Sequence, residues 1–299
     1  MRSTHPNRLL IVAASVFFLG AAILPAATEP SFDYEKGKPI DLQETASRQE
    51  GDVTLRDVTY LALDGHRNGA TVVSGKTANS NRPAILFVHW YGPPASTSNR
   101  TQFIPDAIEL AQSGAISLLI DTPWSDPAYF EQRARAGDLA RSIQEVKELR
   151  RALDVLLAQP GVDPERVAYV GHDFGAMYGA LAAASDARVR AFVFMAGTRS
   201  FSDWFLYGKP KLTGEARERF VAELAPLDPI RYLPKLAMPL LLQFADHDVH
   251  VPKERADALA AAAPATKTVL TYSAEHELNE QATRDRIAWL KKQLKMAPK

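Results

Sequence analysis

The chain has 299 residues, 46% of them hydrophobic and 23% charged, enough to fill the core of one large domain. Lysine plus arginine equals aspartate plus glutamate at 35 each, so no nucleic-acid partner and no polybasic membrane surface is expected. There is no cysteine, which excludes disulfides, a thiol nucleophile and a lipid-modified N-terminal cysteine.

In chain order, Arg2 and Arg8 precede the apolar stretch Leu9–Leu24, and Pro25-Ala26-Ala27 follows it. Charge, apolar run and small residues in that order read as an export signal over residues 1–27. The run is shorter than the roughly 20 residues a spanning helix needs. We therefore expect export with cleavage, to the periplasm or the exterior, and no stable membrane span afterwards; an uncleaved anchor is the alternative. Residues 28–50 are polar, lack sustained periodicity and read as an arm. A single domain is expected over 51–296.

That domain opens with an alternating run, Val53–Leu63, and a second apolar run, Ala70–Val73, separated by Asp64-Gly65 and Asn68-Gly69. This spacing predicts an antiparallel hairpin. Buried strands are then predicted at Ala84–His89, Ala115–Asp121, Arg166–Gly171, Val189–Ala196, Leu240–Ala245 and Lys267–Tyr272. Between them, Leu139, Ile143, Val146, Leu149, Leu153, Leu156 and Leu157 recur at helical spacing, and Gly161 and Pro164 stop that helix. Further helices are predicted at Thr101–Ser113, Ala176–Ala184, Gly214–Leu224, Lys253–Ala262 and Asn279–Leu294. The alternation describes an α/β fold with a mostly parallel sheet covered on both faces.

One junction carries chemistry. Gly171-His172-Asp173-Phe174-Gly175 directly follows the strand Val167–Val170 and directly precedes a small-residue helix. This is the setting of a G-x-nucleophile-x-G elbow, but with aspartate at the apex instead of serine. The other members of a triad in such a fold follow in chain order at later strand ends. Asp248 lies beyond the strand Leu240–Ala245, with Asp246 as its rival, and His276 lies beyond Lys267–Tyr272.

These pieces, with Phe87-Val88-His89, Asp228-Pro229-Ile230…Leu233-Pro234-Lys235…Pro239 and Val251-Pro252, resemble the α/β-hydrolase superfamily. The resemblance covers about Val53 to Leu294 and lies with the dienelactone-hydrolase and prolyl-oligopeptidase-like branch. It implies an α/β-hydrolase fold with a short lid, an Asp173–His276–Asp248 triad and an oxyanion hole formed by the Phe174 and Tyr91 N–H groups. The elbow itself is similar to the G-H-D-W/F-G of epoxide hydrolases and haloalkane dehalogenases. In those families the carboxylate attacks a saturated carbon, and water activated by histidine hydrolyses the resulting alkyl-enzyme ester.

Physical chemistry favours that pairing, because carboxylate attack on an ester carbonyl gives an anhydride, uphill from the ester. The expected activity is therefore an exported hydrolase acting on an epoxide-like or related small molecule. Two alternatives stand beside it: a carboxylesterase, dienelactone-hydrolase-like or peptidase-like acyl hydrolase with Asp173 as general base, or a binding protein that has lost catalysis. Trp90, Trp204 and Tyr207 are expected to line the pocket, with Tyr207 a possible proton donor to an epoxide. The segment between Ala196 and Leu240 is a lid and not the large helical cap of epoxide hydrolases. Phe174 in place of Trp, and no Asn in the His89 loop, make dehalogenation the weaker alkyl reaction. His172 and His89 read as packing residues. Asp246-His247-Asp248-His250 also admits a metal-binding reading, but ligands crowded on one short loop rarely reach a common centre, so no metal and no cofactor is expected.

Overall fold

The structure, a computed structural model, describes Met1 and residues 29–76, 80–207 and 211–296. The predicted export signal lies outside the described residues. Among those described, no helix is long and apolar enough to cross a membrane.

Nine strands form one sheet: β1 (Gln43–Glu50), β2 (Val53–Leu61), β3 (Arg67–Gly75), β4 (Arg82–Val88), β5 (Ile116–Ile120), β6 (Val162–His172), β7 (Ala191–Met195), β8 (Leu240–Ala245) and β9 (Thr268–Tyr272). Their order is β1-β2-β3-β5-β4-β6-β7-β8-β9. The first three strands and the β3–β5 contact are antiparallel, and every pairing from β5 to β9 is parallel. The helices are α1 (Ile104–Gln112), α2 (Tyr129–Gln132), α3 (Asp138–Leu157), α4 (Phe174–Ala184), α5 (Phe201–Phe205), α6 (Gly214–Leu224), α7 (Pro229–Tyr232), α8 (Lys253–Ala262) and α9 (Glu280–Gln293). This is the expected α/β-hydrolase architecture.

Strands β4 to β8 are buried along their apolar stretches because helices cover both faces. One core layer joins α3 and α4 to the sheet through residues such as Leu149, Leu153, Tyr169 and Leu181. The opposite layer joins α1 and α9 through Leu110, Val170, Ile287 and Leu290.

The arm over 28–50 needs correction, since it contains β1, paired antiparallel with β2. Every residue of β1 is exposed, so Gln43–Glu50 shows no apolar alternation by which a strand could be recognised. The arm also docks on α3. Phe32 is buried against Tyr232, its carbonyl accepts a hydrogen bond from Arg150, and the Tyr34 hydroxyl donates to Asp154.

The parallel strands fix where a site can form. The chain runs from β4 outward to β5 and then crosses back to β6 on the other side of β4. The carboxyl ends of β4 and β6 thus flank the point where strand order reverses, and such points open a crevice.

Candidate active site

Asp173 ends β6 and caps α4 with φ 54° and ψ −116°, a backbone conformation few residues with a side chain adopt. The glycines on either side make that turn possible. A Cβ on Gly171 would collide with the Gly175 carbonyl, and one on Gly175 with the Val88 carbonyl. Strand, turn and helix therefore meet at van der Waals distance only with glycine at both ends, and the apex side chain is held out of the sheet.

The Asp173 carboxylate is buried, and its two oxygens differ. Oδ2 accepts the Tyr91 N–H at 3.0 Å, and the Phe174 N–H also favours its charged form. These are the two donors expected to form an oxyanion hole, and here Tyr91 gives its N–H to the aspartate itself. Oδ1 is buried and has no hydrogen-bond partner. Burial dominates the electrostatics and pushes the carboxyl up to about 7, against the lowering effects of His276 and the Tyr91 N–H.

His276 follows β9, and its Nδ1 lies 2.7 Å from Asp248 Oδ2. Asp248 Oδ1 in turn accepts the His250 and Val251 N–H groups at 2.8 and 2.9 Å. Burial alone would raise the Asp248 carboxyl, but the His276 hydrogen bond and charge and these two N–H donors outweigh it and hold it below its usual range. For His276, burial disfavours the charged ring, yet Asp248 and Asp173 together raise its pKa. Its Nε2 is buried without a partner, as is Asp173 Oδ1. The rival acid Asp246 is exposed and instead accepts the Ala274 N–H.

The two packing histidines are neutral, and each tautomer follows from its contacts. His172 Nε2 lies 3.0 Å from the His276 carbonyl and Nδ1 lies 2.6 Å from Gln102 Nε2, so Nε2 carries the proton. Its burial holds its pKa well below 6.5. Bonding the carbonyl of His276 gives it a positioning role under the site. His89 donates from Nδ1 to the Trp90 carbonyl, its Nε2 lies 2.9 and 2.8 Å from the Thr122 and Ser125 hydroxyls, and burial lowers it to about 4. It pins the start of the loop that carries Tyr91.

Two adjoining cavities form the cleft. One, about 220 Å³, is lined by Asp173, Phe174, Phe130, Trp204, Tyr207 and His250 among others. The second, about 430 Å³, holds His276, Trp90 and the Gly92–Ala95 loop. Tyr91, Gly92, Pro93, Trp204 and His250 line both. Trp204 stands edge-on to His276 at 5.6 Å and is fixed by α5, whose first N–H is held by Asp228. Trp90 stacks on His172 at 5.3 Å, and Tyr207 sits exposed at the rim.

Seven of the eight residues predicted for the site line one of these cavities, and the eighth, Asp248, is bonded to His276. His250, which the sequence offers only within the Asp246–His250 run, has its ring 5.0 Å from His276 and 4.9 Å from Tyr207. Its Nδ1 is buried without a partner, and burial lowers its pKa, so the ring is neutral near pH 7. Among the described residues, no group of three or more His, Asp or Glu side chains converges on a metal-sized centre.

Comparison with known proteins places the family and the fold. Residues 110–297 match the model of the prolyl oligopeptidase family. No curated protein matches the sequence significantly. Among solved structures, the chain is similar to an acetyl xylan esterase from Paenibacillus sp. R4, at 18% identity and a TM-score of 0.70, covering 85% of this chain and 89% of that one. An acetyl xylan esterase from a Thermoanaerobacterium species gives 16% identity and a TM-score of 0.65, with 85% and 87% covered. A prolyl endopeptidase gives 19% and 0.62, covering 82% of this chain but 39% of that longer one. At these identities the structural likeness speaks for the fold.

Proposed function

The chain belongs to the prolyl oligopeptidase family, within the dienelactone-hydrolase and prolyl-oligopeptidase-like branch of the α/β-hydrolases, and is a hydrolase; on that premise we propose that it hydrolyses a small ester or related acyl compound in the cleft between Asp173 and His276. Its relatives favour this acyl reaction over the opening of an epoxide. The observation that carries it is the His276 ring, tied at Nδ1 to Asp248 and free at Nε2, facing the same cleft as the elbow.

In this reading neutral His276 takes a proton from water at Nε2 as the water attacks the carbonyl carbon. Asp248 holds the tautomer and stabilises the imidazolium that forms. The Tyr91 and Phe174 N–H groups receive the developing oxyanion. They are free to do so only when Asp173 is protonated, because the ionised carboxylate occupies the same donors and repels an oxyanion. This route needs His276 without its proton and Asp173 with it, so activity falls as pH passes about 7.

A second reading is favoured by one specific contact, Tyr91 N–H to Asp173 Oδ2. Ionised Asp173 attacks a saturated, activated carbon through Oδ1, and the bond from that carbon to its leaving oxygen breaks. Oδ2, already in the hole, becomes the carbonyl oxygen of the enzyme ester, where water activated by His276 then attacks. This route needs the carboxylate, so its activity climbs through pH 7. Tyr207, at the rim of the cleft, supplies a proton to an alkoxide leaving group.

The test is a single turnover in ¹⁸O water on a panel of aryl esters, lactones and epoxides. The acyl route puts the label in the released acid and none in Asp173. Label in the peptide carrying Asp173 supports the second route and contradicts the first. We further propose export, supported by Arg2, Arg8, the apolar Leu9–Leu24 and Pro25-Ala26-Ala27; a mature N-terminus within the first few residues after Ala27 in the secreted fraction tests it.

A further inference from the structure

Helix α3 carries a carboxylate that neither the core nor the cleft employs. Glu145 is only 8% exposed, and no hydrogen bond or ion pair reaches it. Two other buried carboxylates are compensated by arginine: Arg286 lies 2.7 Å from Asp106, and Arg150 and Arg188 hold Asp186. Glu145 has no such counterpart. Burial, with the neighbouring charge of Glu148, pushes its carboxyl up to about 8.

Glu145 instead borders a cavity of about 270 Å³, together with Tyr60, Asn68, Tyr129 and Tyr178. This cavity shares no lining residue with the catalytic cleft. Tyr129 faces it while the adjacent Phe130 faces the cleft, so the short α2 is the wall between them. Asp64, His66 and Gln144, all exposed, mark its mouth.

The other charged neighbours are already engaged. Arg141 bonds Asp138 at 2.7 Å and the Ala134 carbonyl, and Glu148 accepts the Leu63 N–H at 3.1 Å and the Gln144 amide at 2.7 Å. What remains is one unpaired carboxylate among tyrosine rings, whose faces attract cations. Once ionised, above about pH 8, Glu145 repels an anion, and a purely apolar ligand would leave its carboxyl unpaired.

We propose that this cavity is a second binding site, for a small organic cation whose ammonium group pairs with Glu145 while its carbon chain lies against Tyr60, Tyr129 and Tyr178. Its volume, at the lower end for ligand pockets, restricts it to a small amine. The proposal is independent of the reaction assigned to the cleft.

Calorimetric titration of the full chain with n-butylammonium chloride tests it, with potassium chloride as control. Saturable one-to-one binding is expected, weakened about tenfold or more in Glu145→Gln, as loss of a charge-assisted hydrogen bond implies. Binding should stay within about twofold in His276→Ala, which alters only the cleft. No saturable binding to the wild type, equal binding by Glu145→Gln, loss of binding in His276→Ala, or equal binding of potassium each overturns it. If Glu145→Gln does not fold, wild-type crystals grown with n-butylammonium decide. Density beside Glu145 supports the site, and density confined to the cleft, or none, refutes it.

Discussion

Asp173→Asn exposes the cost of keeping a carboxylate at the elbow. In the unfolded chain this carboxyl ionises near 3.8, whereas in the folded protein burial holds the proton until about 7. A raised carboxyl stabilises the fold below pH 4, and that contribution is lost as pH rises through 7. The full difference is worth about 4 kcal/mol. Asparagine carries no charge, and its oxygen can still accept the Tyr91 N–H. Its amide, however, takes the place of Oδ1, which has no partner, and that offsets the gain by about 1 to 3 kcal/mol. We expect the variant to be more stable than wild type at pH 8 by about 1 to 3 kcal/mol. The gap should shrink by about 2 to 3 kcal/mol on going to pH 5. Urea unfolding followed by tryptophan fluorescence reads it. A gap that does not change with pH, or a variant less stable at pH 8, would refute the claim that burial dominates the Asp173 carboxyl.

Further outcomes follow from the same geometry. Asp248→Asn should keep the fold but lower kcat by about 10³ to 10⁴, because the amide leaves His276 in the wrong tautomer; steady-state kinetics checks it, and a loss below tenfold would not fit. Gly175→Ala should abolish activity and cost several kcal/mol, of the order reserved for backbone clashes, since its Cβ meets the Val88 carbonyl. His250→Phe preserves ring contacts with Tyr207 and His276 but removes both nitrogens. KM should then rise about tenfold, with kcat changing less, if those nitrogens bond substrate.

The sequence made the elbow legible because five contiguous residues encode it: glycines where no Cβ fits, and an apex between strand and helix. Asp248 and His276 were legible for a related reason, since parallel strands deliver their loops to one rim. Strand β1 was not, because an edge strand exposed on both faces leaves no alternation in Gln43–Glu50. The Asp173 side chain meets the Tyr91 N–H across 82 positions, a contact that no local pattern encodes. His250 stood in view as a residue type, but its place over His276 comes from the turn that Asp248 caps. Glu145 looked like one more polar position on an amphipathic helix, and only the folded packing leaves it without a cation.

The most direct measurement compares wild type with His276→Ala across aryl esters, lactones and epoxides, at matched folded concentration. Whatever the wild type hydrolyses, the variant should hydrolyse slower by about 10³ or more, with its fold intact by circular dichroism. Undiminished turnover by the variant would place the chemistry elsewhere in the molecule.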